Sequence, residues 1–263
     1  MSELEEGDNM NNIDLIGRFL EFGKDDIIVE EDVDKIAIVE SGDNLVRIDL
    51  PYVVVSKTEK RRQFDGNDDL YVREGVVERL YETRNFLPPS MSFKIFDAYR
   101  PLEFQQKLFD EEWQKVKIDN PTLGDEEIKR IVFFSVFPPN WDQSRPPPHS
   151  TGGALDLTLV YKNGEEIDMG SGYCEFGDRM YTNYRFLTPE QRANRVLLLS
   201  AMVKGGFANY PGEWWHYMYG EREYAAYMSK MYGEREYATY MSKITGRTMS
   251  AVYGRANLGG LKK

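Results

Sequence analysis

The chain has 263 residues, 41% of them hydrophobic, which is enough for a real core in one large domain or two small ones. Its 33 basic and 44 acidic side chains give a net charge of −11 without a compact basic stripe, which argues against nucleic-acid and anionic-membrane partners. The single cysteine, the acidic first residues and the lack of a signal-like or membrane-spanning apolar run predict a cytoplasmic protein.

The composition along the chain predicts three segments. Residues 1–45 mix acidic clusters with short apolar runs and are interpreted as an N-terminal extension, and residues 46–217 carry the motifs described below. Residues 218–263 contain a 13-residue duplication, MYGEREYAAYMSK at 218–230 and MYGEREYATYMSK at 231–243. In each copy Tyr and Met recur at helical spacing, so we expect a C-terminal helical extension that breaks near Gly233 and carries no chemistry.

The first half of the central segment predicts a helix, a strand and a second helix. Val72, Val76 and Leu80 recur at helical spacing in a segment that stops before two prolines at 88–89. The run SFKIFDAYR then predicts a short strand that ends near Arg100. Pro101 opens a helix whose buried stripe is formed by three residues of its second half: Phe109, Trp113 and Val116.

The second half contains the clearest strand and the best-signalled helix. ALDLTLVY at 154–161 alternates so that its leucines share one face and Asp156 points to the other. Thr188 and Gln191 form a capping box around Pro189, and Gly205 is the predicted end of that helix. A proline-rich loop follows the first predicted helices and precedes the strand at 154–161. It is expected to be extended and to position His149.

The only two histidines of the chain, His149 and His216, both lie beside carboxylates in turn-rich sequence. With Asp156 they form a set of two imidazoles and one carboxylate, which is enough to hold a catalytic zinc ion with a fourth position open. Residues 149–156 would span about 23 Å if fully extended, whereas ligands of one ion lie within a few ångströms of each other. Gly152 and Gly153 are therefore expected to adopt positive φ values and fold the chain back.

Zinc chemistry also needs a base and a positive donor for the developing oxyanion. Glu213, three residues before His216, suits the first role if Pro211 and Gly212 bend the chain, because positions i and i+3 face opposite sides of a flat strand. Arg100, at the end of the predicted strand, suits the second role because its planar guanidinium keeps its charge while holding an oxygen.

Three motifs, FDAYRP at 96–101, HSTGGALDLTL at 149–159 and GEWWHY at 212–217, occur in this order. Together they resemble the signature motifs of the D-alanyl-D-alanine dipeptidases, the VanX-type zinc peptidases, over about residues 49–217. The resemblance implies an α+β fold, a mostly antiparallel sheet with helices packed on it, as in zinc D,D-peptidases and the hedgehog signalling domain. The segment IDLPY resembles an early substrate-pocket segment of the family and makes Tyr52 a candidate for the pocket wall.

The resemblance also implies a role for each residue of the constellation. The zinc ligands, for one Zn²⁺ per chain, would be His149, Asp156 and His216. Glu213 would be the catalytic base and Arg100 the group that stabilises the tetrahedral intermediate. The implied partner is a small peptide substrate, and the sequence carries no signal for an oligomeric state.

Two positions depart from the family pattern. The segment MGSGYCEF at 169–176 has Cys174 where the family carries the aspartate that receives the ammonium group of the substrate. Glu175 or Asp178 could replace this acid, although adjacent strand residues point to opposite faces. Pro147 stands where the family has a serine two residues before the first zinc histidine. The departures leave metal binding and hydrolysis intact and predict weaker selection for a free dipeptide.

Four functions remain open from the sequence. The first is a zinc peptidase that hydrolyses D-alanyl-D-alanine or a related D-amino-acid peptide, and the second is a D,D-carboxypeptidase that acts on longer or N-blocked peptides. The third is a non-catalytic zinc-containing binding module on the same fold, which Glu213 argues against because a structural zinc needs no base. An iron(II) oxygenase triad is the fourth, and the absence of a jelly-roll pattern disfavours it.

Overall fold

The computed structural model describes residues 15–22, 26–28, 30–142, 144–232 and 250–256. Within them the strands are β1 (Ala37–Ile38), β2 (Leu45–Arg47), β3 (Val53–Val55), β4 (Tyr71–Arg73), β5 (Met91–Asp97), β6 (Ala154–Tyr161), β7 (Ala208–Asn209), β8 (His216–Met218) and β9 (Ser250–Ala251). The helices are α1 (residues 15–21), α2 (Glu30–Val33), α3 (Glu59–Asp65), α4 (Glu74–Thr83), α5 (Leu102–Asp119), α6 (Asp125–Ser135), α7 (Pro189–Lys204) and α8 (Arg222–Tyr232). Short 3₁₀ turns span Arg84–Phe86, Pro148–Thr151 and Asp178–Met180.

The largest sheet has five strands in the order β3-β5-β6-β8-β7. β3 runs parallel to β5, whereas the other three pairs are antiparallel. Of the two smaller pairs, β1-β9 is parallel and β2-β4 is antiparallel. The α+β class is confirmed, but the expected mostly antiparallel sheet is corrected to mixed sheets. The chain passes from β3 to β5 through α3, β4 and α4, a crossover that allows parallel pairing where a hairpin would not.

Strand β6 has the bounds that the alternating pattern predicts, and residues 154–160 are all buried. Its leucines belong to the main hydrophobic core. Asp156 and Thr158 lie on the opposite face and are also buried, with 3% and 1% of their surface exposed. Both faces of the strand are therefore covered, and a carboxylate placed on it needs polar partners.

The helix signals were confirmed except at one start, that of α4. Thr188 and Gln191 form the predicted capping box on α7, in which each backbone amide donates to the side-chain oxygen of the other residue. Gly205 caps this helix with a right-handed φ of −74°, and Gly206, at φ +87°, makes the left-handed turn instead. Val72 does not start a helix, because it lies in β4 and pairs there with Val46 of β2. Helix α4 begins at Glu74.

Helix α5 follows Pro101 as predicted and packs its second half on α6. Of the predicted buried stripe only Val116 is buried, in a small apolar cluster with Ile128 and Val132. Three partly buried residues pack against this cluster: Phe109, Trp113 and Leu123. No helix within the described ranges is both long and apolar enough to cross a membrane.

The main core contains residues from all three segments that the sequence predicts. Leu15 and Phe19 come from the first segment, and the second segment contributes buried residues of β5, β6 and α7, among other elements. The predicted helical stripe at the first copy of the duplication is buried in this core: Tyr224, Tyr227 and Met228 of that copy and Met231, the first residue of the second copy. The division into extensions and a central domain stays a prediction, and the second copy from Gly233 onward lies outside the described residues.

Candidate functional site

Three polar side chains lie next to one another across adjacent strands of the large sheet. Asp156 on β6 is paired with Asp97 on β5 at one side and with His216 on β8 at the other. A β-bulge between Ile95 and Asp97 reverses the alternation of β5, so Asp97 joins the face of Asp156. Since directly opposed residues have Cβ atoms about 5 Å apart, the sheet register brings these side chains within reach of each other.

The turn that precedes β6 brings His149 to the same place. His149 lies in the 3₁₀ turn Pro148–Thr151, and Gly152 ends this turn with the predicted positive φ of +75°. Gly153 departs from the expectation, because its φ is not positive. A Cβ atom at Gly153 would lie 2.5 Å from the carbonyl oxygen of Tyr219, so this glycine permits a close approach of two backbones.

Two consecutive turns place Glu213 beside His216, which confirms the predicted bend at Pro211 and Gly212. The amide of Glu213 donates to the carbonyl oxygen of Tyr210 at 3.0 Å, and the amide of His216 donates to the carbonyl oxygen of Glu213 at 3.2 Å. This geometry leaves Glu213 Oε2 at 3.9 Å from His216 Nδ1.

His149, Asp156 and His216 are buried, and one ligand atom from each lies within 4.8 Å of the other two. Asp156 Oδ1 is 2.9 Å from His216 Nδ1 and 3.4 Å from His149 Nε2. Two ligands of a tetrahedral zinc ion are about 3.4 Å apart, given bonds of about 2.0–2.1 Å. His149 Nδ1 lies 2.7 Å from the carbonyl oxygen of Ala98, which favours the tautomer that keeps Nε2 available. The donor atoms therefore fit a single metal ion.

Tyr173 completes the surroundings of Asp156, and the sequence analysis missed it. Its hydroxyl donates to Asp156 Oδ2 at 3.0 Å, which leaves Oδ1 for the two histidines. The ring is stacked on Phe96, with centroids 4.4 Å apart and planes at 4°, and stands edge-on to Trp215. An aromatic ring with a polar tip beside the Gly-rich segment is the only sequence signal that pointed to this role.

Arg100 lines the same cavity and is held by two polar neighbours. Its Nε donates to Asp97 Oδ2 at 2.9 Å, and one terminal nitrogen donates to Gln105 Oε1 at 2.8 Å. The other terminal nitrogen is 3.9 Å from Asp156 Oδ2. Arg61 approaches the second oxygen of Asp97 at 3.5 Å, so this carboxylate links two guanidinium groups.

The electrostatics of these groups follow from burial and from their neighbours. Burial opposes the charge on Arg100, but Asp97, Tyr173 and Asp156 together outweigh this effect and raise the pKa of the guanidinium. Burial alone would raise the pKa of Asp156, whereas contacts with His149 and His216 lower it below the ordinary range. Burial raises the pKa of Glu213 to about 7, and His216 partly offsets this rise.

A cavity of about 560 Å³ opens onto the site. Five of the six predicted site residues line it: Arg100, His149, Asp156, Glu213 and His216. The sixth, Tyr52, does not line the cavity. It packs against Tyr81 with ring centroids 6.3 Å apart, under the guanidinium of Arg84. The predicted substrate-binding role of Tyr52 therefore gains no support from its position.

Both positions that depart from the family pattern also line the cavity. Cys174 has φ +57°, in the left-handed region that few residues other than glycine adopt. Pro147 lies next to the turn of His149. Neither Glu175 nor Asp178 lines the cavity, and the carboxylate of Glu175 accepts a hydrogen bond from the amide of Gly172 instead.

Comparisons with known proteins agree with this geometry. The family model described as D-ala-D-ala dipeptidase, peptidase M15, matches residues 43–233. A D-alanyl-D-alanine dipeptidase of Synechocystis is 32% identical over 216 residues, which cover 72% of this chain and 87% of that protein. The protein of the same name from Escherichia coli is 31% identical over 123 residues, 47% of this chain and 52% of that protein. One from Enterococcus faecium is 36% identical over 77 residues, 29% of this chain and 38% of that protein.

The family match covers more than half of the chain and includes the strands and turns that carry the candidate metal site. The chain therefore belongs to the D-ala-D-ala dipeptidase family of peptidases.

Proposed function

We propose that this protein hydrolyses D-alanyl-D-alanine or a related D-amino-acid peptide with one zinc ion held by His149, Asp156 and His216. The observation that carries the proposal is the buried set of three ligand atoms within 4.8 Å, at a cavity of a chain of this peptidase family. Zinc is favoured over other ions because two imidazoles and one carboxylate form a three-ligand set typical of catalytic zinc.

A bound zinc ion would polarise the carbonyl of the peptide bond and lower the pKa of water. Glu213 is the proposed base: its carboxylate takes a proton from the attacking water and passes it to the amine nitrogen that leaves. Its position supports this role, because Oε2 lies 3.9 Å from the metal-facing nitrogen of His216 and the side chain lines the cavity.

Arg100 is the proposed donor for the oxyanion that forms when water attacks the carbonyl carbon. Asp97 and Gln105 fix its guanidinium at distances of 2.8–2.9 Å, so the charge is oriented before substrate binds. A charge that is already oriented stabilises the oxyanion more than the charge of a mobile lysine would, because the donor does not have to reorganise during the reaction.

The proposal also covers the architecture of the domain, the compartment of the reaction and the partner. The mixed sheet with its row of site residues suits the architecture of zinc D,D-peptidases and the hedgehog domain. We place the reaction in the cytoplasm, because a chain of 263 residues with one cysteine fits a reducing compartment. The partner is a small peptide from cell-wall material, and the net charge of −11 does not favour nucleic acid.

The test is hydrolysis by protein that is stripped of metal and reloaded with zinc. We expect about one zinc per chain and release of D-alanine from D-alanyl-D-alanine or another D-alanine-terminated peptide. Absence of release from all of these substrates would overturn the proposal.

The variant Glu213→Gln separates the peptidase from a zinc-containing binding module. Hydrolysis should fall by about 10²–10⁴-fold, which is the usual contribution of a general base, while zinc content stays at one per chain. A binding module would keep its biological activity in this variant.

A further inference from the structure

The cavity extends well beyond the candidate metal site. We propose that the substrates are peptides longer than a free dipeptide, which end in D-alanine and lie along helix α5. This inference rests on the proposed function and specifies the substrate class of the same site.

One face of α5 forms a wall of the cavity along most of the helix. Phe104, Leu108, Glu111 and Lys115 all line the cavity, at the spacing of 4, 3 and 4 residues that defines one helical face. At about 1.5 Å per residue, the helix rises about 16 Å from the first to the last of these residues. An extended peptide advances about 3.4 Å per residue, so this wall accommodates about five residues, whereas a dipeptide covers about 7 Å.

The N-terminal end of α5 is the end next to the candidate metal site. Gln105, in the first turns of the helix, accepts a hydrogen bond from Arg100 at 2.8 Å and lines the cavity. The opposite end, at Lys115, lies nearly three helical turns away. A peptide whose terminal bond is at the metal site therefore has its other residues along α5.

The cavity has apolar lining beside α5 and charged residues at the far end of the helix. Apolar residues of two other segments also line it: Ile27, Ile28 and Val33 on one segment, Val136 and Phe137 on the other. At the far end Lys60 is paired with Glu111, and Lys115 is paired with Glu112. Apolar walls with a few polar groups are typical of sites that bury most of a ligand, and the volume of about 560 Å³ is in the range for ligands much larger than two alanines.

The side chain at position 174 does not select for a free amino terminus. The thiol of Cys174 lines the cavity near the metal-site end, and an ordinary thiol is neutral at pH 7. Neither Glu175 nor Asp178 brings a carboxylate to the cavity in its place. A neutral thiol at this position accepts the amide nitrogen of an acylated residue beside it without leaving an unpaired charge on its own side chain.

The test is a length series assayed with the zinc-loaded full chain: D-alanyl-D-alanine, its N-acetyl form, and peptides of three, four and five residues ending in D-alanyl-D-alanine. We expect kcat/KM to rise with length by about tenfold or more between the dipeptide and the tetrapeptide, which corresponds to about 1.4 kcal/mol. If the free dipeptide is cleaved as well as or better than the longer peptides, the inference is wrong and the proposed function stands. If no substrate is cleaved, both are wrong.

Two variants on α5 locate the extension. Leu108→Trp narrows the middle of the cavity and Lys115→Trp covers its far end, where the side chain is 66% exposed and a tryptophan is tolerated. Leu108→Trp should lower the tetrapeptide-to-dipeptide ratio of kcat/KM by about tenfold, and Lys115→Trp should lower the pentapeptide-to-dipeptide ratio by a similar factor. The matched control is Ile118→Trp, on the same helix but 75% exposed and outside the cavity, which should leave both ratios unchanged. Equal ratios in the three variants and the parent protein would overturn the placement along α5.

Discussion

The hydroxyl of Tyr173 donates to Asp156 Oδ2, and under the proposed function it would orient this carboxylate toward the zinc ion. Removing it in Tyr173→Phe leaves the ring stacked on Phe96 and takes away one hydrogen bond of 3.0 Å to Asp156 Oδ2. A hydrogen bond to a charged group is worth about 1.5–3 kcal/mol, and loss of such a partner around a metal site lowers metal affinity by about 10–100-fold. At about 1.4 kcal/mol per tenfold, the two ranges agree. We therefore expect the Kd for zinc to rise by about 10–100-fold.

The assay is competition for zinc between the metal-free protein and a chromophoric chelator, so the result does not depend on hydrolysis. The matched control is Tyr253→Phe, which removes a hydroxyl that donates to Asp43 at 2.8 Å, a carboxylate that does not line the cavity. The control should keep the zinc Kd of the parent protein. An unchanged Kd in Tyr173→Phe would refute the reasoning that this hydroxyl orients Asp156.

Three further changes test the surroundings of the site. Arg100→Lys removes the planar fork, and we expect kcat to fall by about 10²–10³-fold with little change in zinc content, measured by steady-state kinetics and metal analysis. Burial opposes the charge of Asp97, but Arg100 and Arg61 together lower its pKa below the unfolded value of about 3.9. The ionised form of Asp97 therefore stabilises the fold above about pH 4, and this contribution is lost as the pH falls further. In urea unfolding of the metal-free protein, Asp97→Asn should therefore show a weaker loss of stability below pH 4 than the parent, and parallel curves would contradict this. Gly152→Ala should lower the free energy of unfolding by at least about 1–2 kcal/mol, because φ is +75° and the new Cβ would lie 2.5 Å from Leu45 Cδ2, and an unchanged Tm would contradict it.

The local signals in the sequence were sufficient to predict that His149, Asp156 and His216 come together. The sequence has only two histidines, His149 and His216, and Asp156 is a carboxylate on a clearly alternating strand. Few other combinations of residues could therefore form a ligand set. The turn at Gly152 and the bend before His216 followed from the geometric need to bring these residues together. Short-range chemistry of this kind can be predicted because the spacing itself restricts the backbone.

Features that depend on register and on distant contacts were not predictable in the same way. The bulge that turns Asp97 toward Asp156 depends on one unpaired residue in β5, and no pattern in SFKIFD indicates it. The parallel pairing of β3 depends on how the crossover through α3 and α4 packs. Tyr173 meets Asp156 across 17 residues, and Val72 belongs to a strand because its partner Val46 lies in another segment.

The position of a zinc ion tests the central claim most directly. Anomalous X-ray diffraction at the zinc edge from crystals of the zinc-loaded protein should show one strong peak per chain, about 2.0–2.2 Å from His149 Nε2, Asp156 Oδ1 and His216 Nδ1. A peak elsewhere, or one that lacks any of these three ligands, would contradict the account.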